Sequence, residues 1–166
     1  VAQHAPAEAS GKLHLEEGFL TSPVDLSSRN GGALLVLFEQ KSCLECDELH
    51  LDILRREPVR ASLDKFRVAL LDLWSNDPVT TPDGTRTTVR AWARALDIKY
   101  APSMLFFDSD GQEVFRTEAY LKAFHVHGAL DYVLDGDYAR EPEFQRYLQV
   151  RREEMEARGI VVDMME

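Results

Sequence analysis

The sequence predicts an α/β fold in which a central mixed sheet is flanked by helices. Two observations carry this. The run Ala33-Leu34-Leu35-Val36-Leu37-Phe38 is apolar on both faces, which suits a central strand covered from either side. A helical pattern from Cys43 to about Arg56 then leads to a second strand, Arg67-Val68-Ala69-Leu70-Leu71-Asp72-Leu73, completing a strand–helix–strand unit.

Residues 1–12 read as a polar, Ala-rich, disordered leader, much like the remnant of a removed signal peptide, although an artificially trimmed start would look the same. Residues 13–166 read as one domain with a C-terminal helical extension. Leu13 to Asp25 mixes apolar and acidic residues with Pro23, and Ser27 to Gly32 forms a turn before the first strand. In the first helix Leu44, Leu49, Ile53 and Leu54 recur near helical spacing until Pro58, and a second short helical stretch runs from Ala61 to Phe66. A polar loop with Asp77-Pro78 and Pro82-Asp83-Gly84 follows Trp74. Thr87 or Thr88 then caps a helix through Val89, Trp92, Ala93 and Leu96. Ser103 to Asp108 and Gln112 to Arg116 flank Ser109-Asp110-Gly111, a hairpin signal. Helices from Leu121 to Leu134 and from Glu141 to Arg158 finish the chain, the second stopped by Gly159.

A formal charge of -10 opposes phosphate backbones and anionic lipid, so nucleic acid is not an expected partner. No apolar run approaches the roughly 18 residues that span a bilayer, so membrane insertion is not expected either. A soluble protein partner or a small thiol fits better.

Cys43-Leu44-Glu45-Cys46 holds the only two cysteines. Two residues between cysteines at a helix start bring both sulfurs within disulfide reach, the first expected exposed and the second partly covered. As a staple such a bridge closes too short a loop to be useful. Zinc needs four ligands, and neither His50 nor the pair His125 and His127 supplies the usual spacing, so no metal is expected. The pair therefore reads as a redox-active dithiol. Cys43, nearest the free amides and the dipole of the helix, is the expected nucleophile, and Cys46 resolves the mixed disulfide. This chemistry needs no cofactor.

The order strand, Cys-x-x-Cys at a helix start, strand, helix, then Ala101-Pro102-Ser103 opening a hairpin resembles the thioredoxin fold over about Ala33 to Leu134. Leu37-Phe38-Glu39-Gln40-Lys41-Ser42-Cys43-Leu44-Glu45-Cys46 with Leu49-His50, and the tail Phe144-Gln145-Arg146-Tyr147-Leu148 ending in Gly159-Ile160-Val161, are similar to the SoxW-type periplasmic thioredoxins. The resemblance implies a thioredoxin fold with an extra C-terminal helix and a protein-disulfide reductase activity on exported proteins. It implies a cis Pro102 facing the disulfide, with Ala101, Pro102, Leu44 and Glu45 against the substrate. The implied partners are a protein disulfide of a sulfur-oxidation system and a membrane thiol electron donor. The implied location is the periplasm, with the cytoplasm as the alternative.

Four positions depart from the thioredoxin pattern. Ser42 stands where a tryptophan is usual, Leu44-Glu45 replaces Gly-Pro, and Leu37 occupies the position of the buried aspartate. Glu39 is therefore the candidate acid for proton removal from Cys46, against the reading that it is a solvated strand-end charge. Glu45, Asp47 and Glu48 crowd the first helical turn and oppose a further negative charge on Cys43, which favours a reducing protein despite Lys41. Two other functions compete: a peptide-binding or chaperone-like module whose cysteine pair is idle, and a thiol peroxidase, which lacks an arginine beside Cys43.

Overall fold

The computed structural model describes residues 9–27, 32–118 and 122–163. Residues 1–8 of the expected leader, and Leu121 at the expected start of a helix, lie outside the described residues. The central strand β2 (Leu34–Glu39) pairs in parallel with β3 (Arg67–Asp72) and antiparallel with β6 (Ser103–Phe107), which pairs with β7 (Glu113–Glu118). The sheet order is β3-β2-β6-β7.

Strand alternation explains why β2 is apolar throughout. Leu35 and Leu37 pack on one side with Leu49, Ile53, Leu63 and Leu130, under α1 (Leu44–Leu51), α2 (Glu57–Leu63) and α4 (Ala123–Leu134). Leu34, Val36 and Phe38 pack on the other side with Trp92 and Ala93 of α3 (Val89–Ala95). The same parity puts Glu39 on the α1 side of the sheet.

Several boundaries differ from the sequence reading. The helix expected to run to Arg56 ends at Leu51, is followed by a short 3-10 turn over Ile53–Arg55, and gives way to α2. Pro58 opens α2, because proline's missing N–H and fixed φ suit a first helical turn; the stretch expected from Ala61 to Phe66 covers only the end of that helix. The loop after Trp74 carries β4 (Pro78–Thr80) and β5 (Arg86–Thr88), which join β1 (Val24–Asp25) in a small second sheet ordered β1-β4-β5. Thr88 caps α3 by accepting a hydrogen bond from the Ala91 amide at 3.2 Å. Gly111 in the β6–β7 turn has φ +82°, and a Cβ there would meet the Pro82 carbonyl oxygen at 2.7 Å, so glycine is required.

A short helix that the sequence does not predict, α5 (Asp137–Arg140), precedes Glu141, and the helix expected from Glu141 to Arg158 starts at Phe144 as α6 (Phe144–Ala157). Glu141 precedes Pro142 and is extended, as proline imposes on the residue before it. At the far end the Gly159 and Ile160 amides donate to the Glu156 and Met155 carbonyls, closing α6 with a left-handed glycine.

Candidate active site

Cys43 caps the amino end of α1, directly after the loop that leaves β2, and is joined to Cys46 by a disulfide with the Cα atoms 5.2 Å apart. The Cys46 amide points at Cys43 Sγ at 3.0 Å, so a free donor of the first helical turn is aimed at the sulfur that must carry negative charge. Cys43 was expected to be exposed, yet in this oxidised form it is only 4% exposed and Cys46 1%. The Ala101 carbonyl oxygen, 3.7 Å from Cys43 Sγ, closes one side.

The Ala101–Pro102 peptide bond is cis and leads into β6. Pro102 is buried and Ala101 half-buried, whereas Leu44 and Glu45, between the cysteines, are exposed. Two further exposed aromatic residues were not singled out by sequence. Tyr100 adjoins Ala101, and Trp74 follows β3, donates its indole N–H to Gln40 Oε1 at 2.8 Å and lies under the Arg90 guanidinium. Gln40 follows β2, so Trp74 shares the carboxyl end of the sheet with the disulfide.

Glu39 is fully buried, not a solvated strand-end charge. Its Oε2 lies 2.6 Å from His50 Nε2, an ion-pair or hydrogen-bond distance. Cys46 and His50 stand four residues apart on the buried face of α1, so the carboxyl on the sheet meets the helix one turn beyond the resolving cysteine. The His50 ring is covered by His14, stacked with centroids 4.9 Å apart and planes 13° apart, and by the edge of Phe19. His14 Nε2 lies 2.6 Å from Asp47 Oδ1, and Ser10 donates to the same carboxylate through its amide and hydroxyl.

Sequence reasoning named Glu39 and weighed His50 only as a metal ligand; it missed the Glu39–His50 contact, His14 and the engagement of Asp47. The available signals were the parity of Leu35, Leu37 and Glu39 on one strand face and the four-residue step from Cys46 to His50. Burial raises the Asp47 pKa, but hydrogen bonds from His14 and Ser10 and the charge of His14 outweigh it and hold the carboxyl below the ordinary value of 3.8. Asp47 is thus a negative charge already answered by its own partners, which removes one of the acids counted against a Cys43 thiolate; Glu45 remains exposed beside it. Among the described residues, no three His, Cys, Asp or Glu side chains converge as metal ligands would.

With this geometry in hand, comparison with known proteins finds that a family model described as a thioredoxin-like domain matches residues 24–134. A thioredoxin-fold protein from Helicobacter pylori is 14% identical with a TM-score of 0.68, covering 78% of this chain and 89% of that one. A thioredoxin from Thermus thermophilus is 21% identical with a TM-score of 0.52, covering 70% of this chain and 85% of that one. No curated protein matches the sequence. These likenesses agree with the observed architecture, a mixed sheet flanked by helices with additional helices at the C-terminal end.

Proposed function

The chain belongs to the thioredoxin-like family, and on that basis we propose that it is a protein-disulfide reductase working through Cys43 and Cys46. The observation that carries this reading is the Cys43–Cys46 disulfide at the amino end of α1, with Cys43 Sγ beside the Ala101 carbonyl and the cis Pro102. In the reduced protein the Cys43 thiolate attacks a partner disulfide, forming a mixed disulfide and expelling one partner thiolate. Cys46 then loses its proton and attacks Cys43 Sγ, so that the partner leaves as its second thiolate and the Cys43–Cys46 bond forms. Two electrons pass to the partner, and an upstream dithiol restores the pair.

Glu39 is the proton acceptor we assign to Cys46, because it is a buried carboxyl on the α1 side of the sheet whose Oε1 has no hydrogen-bond partner among the described residues. Leu44, Glu45, Ala101 and Pro102 form the surface that receives the partner chain. The substrate is an exported protein disulfide, within a sulfur-oxidation system, and the donor a membrane thiol protein; the segment around Cys43 and the tail after Phe144 support this through their likeness to SoxW-type proteins. A periplasmic location follows from the same likeness. Among the described residues no helix is long and apolar enough to cross a membrane.

The test is reduction of insulin disulfides by dithiothreitol with the protein as catalyst. A rate well above the uncatalysed one that vanishes in Cys43→Ser supports the reading. No catalysis, together with retained binding of an extended peptide, would favour the idle-pair binding module.

A further inference from the structure

Glu39 and His50 form a buried pair with one empty site on each partner. Glu39 Oε1 and His50 Nδ1 are both buried and lack hydrogen-bond partners among the described residues, while Oε2 and Nε2 meet at 2.6 Å. An unpaired buried N–H is costlier than an unpaired ring lone pair, so the ring proton belongs on Nε2, where it is donated to the carboxylate, and Nδ1 is bare. Oε1 is then the acceptor of the pair that has no partner among the described residues.

Deepening the reductase reading, on which this rests, we infer that His50 is a positioning residue for resolution. Its Nε2–H, donated to Oε2 at 2.6 Å, holds the Glu39 carboxyl in place on the α1 side, with Oε1 left to take the Cys46 proton. The Cys46 S–H bond breaks as the proton passes to Glu39. The thiolate electron pair forms the bond to Cys43 Sγ, the bond from Cys43 to the partner sulfur breaks, and the partner leaves as a thiolate that solvent protonates. Glu39 afterwards returns the proton to solvent.

Among the described residues, the charged and titratable groups facing the His50 ring are Glu39 from β2 and His14 from the N-terminal segment, the latter tied to Asp47, with Cys46 one turn back on α1. His14 and Phe19 shield the ring from solvent, so the Nε2 proton has no competing acceptor in water.

The test follows the reaction of the reduced protein with 5,5′-dithiobis(2-nitrobenzoate) by stopped flow. The first coloured thiolate reports attack by Cys43 and the second reports resolution by Cys46. His50→Leu and His50→Asn, neither able to replace the imidazole bond to Glu39, should slow the second phase about tenfold or more near neutrality and leave the first within about twofold. The defect should shrink as pH rises, because hydroxide then ionises Cys46 directly. Glu39→Gln should show the same defect, and adding it to His50→Asn should slow resolution no further, as expected for groups acting as one unit. His50→Gln, whose amide can donate to Glu39, should recover to within about threefold of the parent.

A normal second phase in both His50→Leu and His50→Asn would overturn the inference and leave the reductase reading standing. Equal slowing of both phases at every pH, unrescued by His50→Gln, would reduce His50 to a structural role and overturn it as well. A parent protein that never releases the second thiolate would overturn the reductase reading and this inference together.

Discussion

Glu39 and Asp131 are both carboxylates met by a histidine, and they are satisfied to different degrees. Beneath the disulfide, Glu39 is fully buried and has one oxygen engaged by His50 and one without a hydrogen-bond partner among the described residues. At the C-terminal end, Asp131 of α4 has both oxygens engaged: Ser62 of α2 donates to Oδ1 at 2.6 Å, and Arg151 of α6 and His127 meet Oδ2 at 2.9 and 3.3 Å. Asp131 is also 21% exposed in its side chain, so solvent shares the load. A carboxylate saturated by groups from three helices is a tether that pins α6 to α4 and α2. A buried carboxyl with one oxygen unmatched is costly to maintain, and such groups concentrate where chemistry is done.

The sharpest way to break the comparison is to remove the chemistry at one end alone. Cys46→Ser should abolish turnover and trap partners on Cys43 as mixed disulfides, visible as adducts by mass spectrometry, with thermal stability of the reduced form little changed. The converse strikes the tether end. Leu148, 2% exposed on α6, packs against Gly128, where an added Cβ would come within 2.5 Å of it. Leu148→Ala should cost about 2–5 kcal/mol, a Tm fall on the order of 10 °C, while leaving the reduction potential of the cysteine pair unchanged. A large change in potential would show that the two ends are coupled.

A pH series refines the contrast. Burial chiefly holds His127 below its ordinary value of 6.5, with Arg151 reinforcing and Asp131 opposing. The unfolded chain therefore takes up this proton first as pH falls, so stability is fully present above 6.5 and declines from there towards the folded-state value. His127→Gln should flatten that limb in urea titrations. Asp47 should have the smallest effect, with the same sign at a more acidic pH. Its pKa is depressed below 3.8, so its contribution is present above that value and is lost as pH falls through the lower folded-state one. Asp47→Asn should remove only this acid limb, as circular dichroism melts would show.

What was legible in the sequence follows from range. The unbroken apolar run of Leu34 to Phe38, the turn at Gly111 and the stop at Gly159 are local patterns with local causes, and the elements stand close to where they were expected. β4 and β5 were missed because three-residue strands around Pro82 and Gly84 carry too little periodicity to separate from a loop. The break after Leu51 was missed because Ile53 and Leu54 keep feeding the core through the 3-10 turn, so the apolar spacing runs on while the helix does not. In the site, the cysteines were plain from their spacing. His50 pairs with a residue 11 positions away and Asp47 with His14 33 positions away, contacts that only the folded sheet and helix bring together.

The central claim is that Cys43 and Cys46 work as a reducing pair, and their reduction potential tests it most directly. Equilibration in a dithiothreitol redox buffer, read by alkylation and mass spectrometry, should place the couple near or below about -270 mV. A value near about -120 mV would make the protein an oxidant and contradict the account.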